Sequence, residues 1–216
     1  MKSLVIFDLD GTLLNTIGDL GAATNHALAE MGFPTHSPAA YNNMVGNGIT
    51  KLIERALPDD SRTPDIIADT RRCFLRYYTD HIRDTTEPYA GIPELLADLR
   101  DRDVAVAVAS NKFQEGVTKL VSHFFPHIRW AAVMGNRDGV PVKPDPSIVF
   151  EILSEHPTPK AQVLYVGDSG VDMETARRAC VTSCGVTWGF RSRRELEDHY
   201  ADHIVSVPDD ILALVR

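Results

Sequence analysis

The sequence is poor in cysteine, in positive charge and in long apolar runs, and each shortage removes a class of protein. Its three cysteines, Cys73, Cys180 and Cys184, are an odd number in neither C-x-x-C nor zinc-ligand spacing, which excludes a disulfide framework and points to buried thiols in a reducing compartment. Lys and Arg total 22 against 30 Asp and Glu, a net charge of −8. That balance argues against general affinity for nucleic acid or an anionic membrane, so any anion must be bound locally. The longest apolar run near the start, Leu4 to Phe7, meets Asp8 and Asp10 at once, so neither a signal-peptide core nor a membrane span can be drawn there and a cytoplasmic protein is expected. No segment is low-complexity. With 44% apolar and 24% charged residues, the composition is that of an ordinary globular chain rather than a disordered, collagenous or coiled-coil one. A length of 216 residues allows one ordinary core plus something smaller.

Short, β-branched apolar runs occur at Ser3 to Phe7, Val104 to Ala109, Trp130 to Met134 and Val163 to Val166, with a weaker one at Thr182 to Thr187. They are too short and too continuous for amphipathic helices and suit strands buried on both faces. Helical patterns lie between them at Pro93 to Arg100, Glu115 to Phe125, Pro146 to Glu155 and Val171 to Cys180. This βαβα order predicts an α/β chain with an open, doubly wound parallel sheet. One connection breaks the rhythm: the first strand ends near Asp8 and the next begins near Val104, far more than a crossover of a dozen or so residues requires. Ile17, Leu20, Ala23, Ala27, Leu28 and Met31 keep helical spacing there, as do Ile66, Ile67, Thr70, Phe74, Tyr77 and His81. The expected organisation is a core of residues 1–15 and 86–216, with residues 16–85 forming a helical cap inserted after the first strand.

Ligands of open α/β sheets bind outside the carboxyl ends of the strands, so the residues following the apolar runs are the informative ones. They are Asp8-Leu9-Asp10-Gly11-Thr12, Ser110-Asn111-Lys112, Lys143-Pro144 and Gly167-Asp168-Ser169-Gly170-Val171-Asp172. Several carboxylates in one cleft raise each other's pKa unless a cation neutralises them, and oxygen donors without Cys or His favour Mg²⁺. Lys143 and the Ser110 hydroxyl supply an anion-binding half opposite the carboxylates. Such a site suits a phosphoryl group. Asp8 is placed to attack phosphorus and carry it as an aspartyl-phosphate; Asp10 is placed to protonate the leaving oxygen and then activate water. Alone, each of these residues is equally an ordinary loop or N-cap residue; their joint placement after separate strands is not.

Asp8-Leu9-Asp10-Gly11-Thr12-Leu13, Ser110-Asn111-Lys112, Lys143-Pro144 and Gly167-Asp168-x-x-x-Asp172 resemble, in order, the four motifs of the haloacid dehalogenase-like superfamily. The resemblance covers essentially the whole chain. It implies a Rossmann-like core with an inserted helical cap and Mg²⁺ as cofactor. It further implies that the metal is held by the Asp8 carboxylate, the Asp10 backbone carbonyl and Asp168, with Asp172 a further acidic support. Ser110, Asn111 and Lys143 are the implied phosphate ligands, with Gly11 and Thr12 beside the substrate. Dehalogenases of the superfamily lack the second aspartate of the first motif, so Asp10 favours a phosphatase or phosphomutase. Val45-Gly46-Asn47-Gly48-Ile49, Glu54-Arg55-Ala56-Leu57, Pro88-Tyr89-x-Gly91 and Trp188-Gly189-Phe190 are similar to the phosphoglycolate phosphatase family, which makes 2-phosphoglycolate the first candidate substrate.

Beside that reading stand a β-phosphoglucomutase-like phosphomutase, whose usual Gly-Val-x-Arg cap loop is not evident, and a phosphatase acting on nucleotides or pyrophosphate. A catalytically silent subunit that binds a phosphorylated ligand is the alternative from a different class. Phosphonoacetaldehyde hydrolases use a cap lysine as a Schiff base and Lys51 lies in roughly that part of the cap, but Asp10 argues against that chemistry, leaving Lys51 as a substrate-binding cation or a solvated charge. The expected partner is a small phosphorylated metabolite, and the expected state a monomer or homodimer. The Arg191, Arg193 and Arg194 cluster, balanced by Glu195, Glu197 and Asp198, reads as a solvated helix start.

Overall fold

In the computed structural model, which describes residues 1–215, the chain divides into two compact units: Met1–Asn15 with the chain from Pro88 onward, and Thr16–Glu87. In chain order the elements are β1 (Leu4–Phe7), β2 (Leu14–Asn15), α1 (Ile17–Glu30), α2 (Ile49–Ala56), α3 (Pro64–Asp80), β3 (Glu87–Pro88), α4 (Ile92–Asp101) and β4 (Ala105–Phe113). There follow α5 (Gln114–Phe124), β5 (Trp130–Asn136), α6 (Ser147–Glu155), β6 (Val163–Gly167), α7 (Gly170–Ala179), β7 (Thr182–Val186), α8 (Arg193–Asp198), β8 (His203–Val205) and α9 (Ile211–Leu214). β2 and β3, where the chain leaves and re-enters the first unit, pair with each other.

The first unit is built on a six-stranded sheet of order β5-β4-β1-β6-β7-β8, parallel at every pairing. Flanked by helices, it is the Rossmann-like α/β fold expected from the alternating pattern. β1 lies at its centre: Leu4 is in register with Ala105 of β4 and with Val163 of β6. All four β1 residues are fully buried, which is why that strand reads as a continuous apolar run rather than an alternating one. Ile6, Ala107, Ala109, Val149, Ile152, Tyr165 and Ala176 belong to one core cluster that joins the sheet to α6 and α7. Two boundaries differ from the sequence expectation. β4 continues past Ala109 to Phe113, so Ser110, Asn111 and Lys112 lie within the strand. β8 was not anticipated, because three residues, one of them the exposed His203, carry no periodic signal.

The second unit, Thr16–Glu87, is helical. α1 buries Leu20, Ala23, Ala27 and Leu28, and α3 buries Thr70, Cys73, Phe74 and Tyr78. On α3 the buried stripe runs 70, 74, 78, the four-residue step of one helix face. Tyr77 and His81, expected on that face, instead form a stack with His26, with ring centroids 4.1 Å and 4.0 Å apart. Buried Asp19 joins the two ends of the unit. One oxygen accepts from the amide and hydroxyl of Thr85 at 2.9 and 2.6 Å, the other from those of Thr86 at 2.9 and 2.7 Å. Cys73 and Cys184 are buried as expected, whereas Cys180 is exposed. It ends α7 in the left-handed conformation at φ 58°, a position outside the core.

Candidate active site

The turn after β1 is a tight coil. The Leu9 carbonyl accepts from the amides of Thr12, Leu13 and Leu14 at 3.3, 3.1 and 3.0 Å, and the Gly11 amide donates to the Leu14 carbonyl at 2.9 Å. Asp8, whose amide donates to Val166 of β6, and Asp10 stand on either side of Leu9 where the sheet gives way to this coil. Gly11 has φ +89°, and a Cβ there would lie 2.4 Å from Asp168 Oδ2. Glycine is therefore required both by the turn and by the close approach of Asp168.

Four strand ends meet at this edge. Lys143 Nζ lies 2.8 Å from Asp8 Oδ1 and 2.8 Å from Asp172 Oδ1, and also donates to the Ala109 carbonyl at 2.9 Å. Its side chain is 1% exposed, so the ammonium belongs to the site rather than to solvent. Lys112 Nζ donates to Asp10 Oδ1 at 2.9 Å. Asp168 Oδ2 accepts from the Phe190 amide at 2.7 Å, which fixes the carboxylate from the loop after β7. Asp172 Oδ2 accepts from the amide and hydroxyl of Ser169 at 3.2 and 2.6 Å, completing a capping box at the start of α7.

Asp8, Asp168 and Asp172 each bring a carboxylate oxygen within 4.8 Å of the others. When all are ionised, these three and Asp10 set four negative charges against the two of Lys112 and Lys143. The electrostatics follow. Burial pushes Asp8 up to about 7, with Asp172 and Asp10 adding to the rise and Lys143 opposing it. Burial likewise holds Asp168 well above the usual carboxylate range, reinforced by Asp172 and Asp8. Burial works against the charge on Lys143, yet Asp172 and Asp8 more than offset it and raise its pKa. Oxygen donors alone, with uncompensated negative charge, fit a hard divalent cation.

The site residues expected from sequence fall into groups. Asp8, Asp10, Ser110, Lys143, Asp168 and Asp172 gather at this one edge. Asn111 is committed elsewhere: its carboxamide donates to the Lys143 carbonyl at 3.1 Å and accepts from the Lys143 amide at 2.8 Å. Its side chain thus fixes the Lys143 loop. Gly11 and Thr12, expected beside the substrate, are turned into the fold. The Gly11 amide is engaged by Leu14; Thr12 is fully buried, its hydroxyl without a hydrogen-bond partner among the described residues. Both shape the turn instead. Asp172, expected at the metal, has Oδ1 on Lys143 and Oδ2 on Ser169, which makes it first of all the anchor of that lysine. Lys51 lies in the second unit on α2, its exposed side chain paired with Glu54 at 2.6 Å. Arg193 and Arg194 are exposed and paired four residues along with Glu197 and Asp198, as a solvated helix start should be.

Two contributors were not assigned roles from the sequence. Lys112 was visible only as the third residue of its motif. Burial and the negative charges of Asp168 and Asp10 raise the pKa of the Tyr89 phenol; the sequence showed it only as the second residue of Pro88-Tyr89-x-Gly91.

A family model of haloacid dehalogenase-like hydrolases matches residues 5–186, and the chain belongs to that family. Among relatives, a phosphoglycolate phosphatase of Mesorhizobium japonicum is 32% identical over 200 residues, covering 91% of this chain and 88% of that protein. One from Mannheimia succiniciproducens is 29% identical over 98% of this chain and 97% of its own length. A crystal structure from Lactobacillus delbrueckii subsp. bulgaricus, described provisionally as a phosphoglycolate phosphatase, aligns with a TM-score of 0.93 at 30% identity, over 100% of this chain and 99% of that one.

Proposed function

We propose that this protein is a Mg²⁺-dependent phosphomonoesterase that works through an aspartyl-phosphate, with 2-phosphoglycolate its first candidate substrate. The observation that carries the reading is the buried Lys143 bridging Asp8 and Asp172 at 2.8 Å, beside Asp168. A nucleophilic carboxylate needs an adjacent positive field to approach a phosphate dianion, and this arrangement supplies one. The relatives named as phosphoglycolate phosphatases support the choice of substrate.

In the first step an Asp8 carboxylate oxygen forms a bond to phosphorus while the ester P–O bond breaks, and Asp10 delivers its proton to the departing oxygen. In the second step Asp10 takes a proton from water, the water oxygen bonds to phosphorus, and the P–O bond to Asp8 breaks. Inorganic phosphate leaves, Asp8 is again a carboxylate and Asp10 again holds a proton. Lys143 offsets negative charge at the nucleophile, and Ser110 at the end of β4 supplies a hydroxyl for the phosphoryl oxygens. Asp8, Asp168 and the Asp10 carbonyl would hold Mg²⁺, which when bound supplies charge stabilisation for the phosphoryl oxygens.

The test is phosphate release, with and without Mg²⁺, from 2-phosphoglycolate, glucose phosphates, nucleoside monophosphates and pyrophosphate. A preference of about a hundredfold in kcat/KM for 2-phosphoglycolate, some 2.7 kcal/mol of transition-state discrimination, is expected. Asp8→Asn is expected to abolish turnover of every ester; Mg²⁺-dependent turnover surviving in that variant would overturn the mechanism.

A further inference from the structure

Lys112 invites a question that the two-step chemistry leaves open. Its side chain is 2% exposed, yet it ends in an ammonium group, and burying such a group costs several kcal/mol unless a partner compensates. Asp10 is a compensating partner, with Oδ1 at 2.9 Å and a side chain 14% exposed. The two carboxylates of the reaction are thus served separately: Lys143 meets Asp8, and Lys112 meets Asp10. Lys112 is itself placed by β4, and its amide donates to the Ser110 hydroxyl oxygen at 3.2 Å. The strand end that presents the phosphate hydroxyl therefore also presents this ammonium.

We propose that Lys112 is a positioning residue for the proton-transfer step, holding Asp10 by Oδ1 so that Oδ2 is the oxygen that gives and takes the proton. The proposal rests on the phosphatase reading above and extends it. A carboxyl group is an effective proton donor only when it is kept within hydrogen-bond reach of the leaving oxygen. A salt bridge to a buried strand residue restrains both χ angles of Asp10, which the backbone hydrogen bonds of the turn do not. Lys112 touches neither phosphorus nor the leaving group in this scheme; it acts through Asp10.

Leaving-group dependence separates this role from a merely structural one. An alkyl ester such as 2-phosphoglycolate needs a proton on its leaving oxygen, whereas p-nitrophenolate departs without one. Lys112→Met is expected to lower kcat/KM, which reports the steps up to leaving-group departure, by about a hundredfold on 2-phosphoglycolate, the size of a lost acid contribution, and by less than about fivefold on p-nitrophenyl phosphate. In an Asp10→Asn background the same substitution is expected to cost at most about twofold, because groups that act as one unit are non-additive. Lys112→Arg, which keeps a charged donor, is expected to recover part of the alkyl-ester rate. Equal losses of kcat/KM on both esters, or a full additional loss in the Asp10→Asn background, would overturn the proposal while leaving the phosphatase reading intact. A wild-type enzyme that hydrolyses neither ester would overturn both. Should Lys112→Met fail to fold, Lys112→Gln is taken through the same measurements and judged by the same ratios.

Discussion

Lys143 shows how much rests on a single side chain here. Its ammonium is shared between Asp8 and Asp172 at equal distances of 2.8 Å, and Asn111 fixes its backbone from both sides. Removing the charge would leave two buried carboxylates facing each other. Lys143→Met is therefore expected to destabilise the fold by about 3–5 kcal/mol, the usual cost of stripping one partner from a buried ion pair; urea unfolding followed by circular dichroism measures it. Wild-type stability in that variant would mean the pair contributes little in the folded protein. At this scale the sequence was readable for residue type but not for partner. The carboxylates and Lys143 followed apolar runs and so stood out. That Asn111 engages the backbone of residue 143, 32 positions on, or that Thr12 is sealed inside, depends on distances between segments that no local pattern reports.

At the scale of elements, the capping box of α7 joins stability to the site. Ser169 opens the helix, and its hydroxyl and amide both reach Asp172, the carboxylate that anchors Lys143. Ser169→Ala removes one of those hydrogen bonds and is expected to cost about 1 kcal/mol. It also loosens Asp172, so kcat should fall by more than the small loss of stability alone explains; thermal melts and steady-state kinetics on one preparation measure both. An unchanged melting temperature would show that the box adds nothing to α7. Elements with strong periodicity were legible beforehand: five apolar runs became β1, β4, β5, β6 and β7, and four helical patterns became α4 to α7. The exceptions have physical reasons. β4 ran on through polar residues because the strand end lines a polar site, where hydrophobic pattern no longer reports conformation. β2, β3 and β8 are two or three residues long, too short for any period. On α3 two adjacent tyrosines competed for one buried position, and packing rather than type chose Tyr78.

For the molecule as a whole, the raised carboxylates make stability depend on pH in an unusual direction. Asp8 binds its proton up to about pH 7 in the folded state, whereas an unfolded aspartate releases it near 4. Between those values the folded state holds the extra proton, so this group's contribution is complete below about pH 4 and is lost as pH rises through about 7. Metal-free protein is expected to lose that contribution across the window, and Asp8→Asn to show a shallower decline. A ligand that favours the ionised site reverses the trend by mass action, so the melting-point gain from added Mg²⁺ should grow from pH 5 to pH 8. Melting curves with chelator and with Mg²⁺ test this; a gain that shrinks with rising pH would contradict the cation reading.

The position of β1 has a further outcome, in time rather than in energy. The central strand is the first to be synthesised, yet its neighbours β4 and β6 follow only about 100 and about 160 residues later, and pairings so distant in sequence form slowly. The unit Thr16–Glu87 is continuous in the chain. On the ribosome it can assemble while Leu4–Phe7, an apolar tetrapeptide with both edges open, still waits for partners. The segment that ends as the most protected of the sheet begins as the most exposed to chaperones and to misassociation.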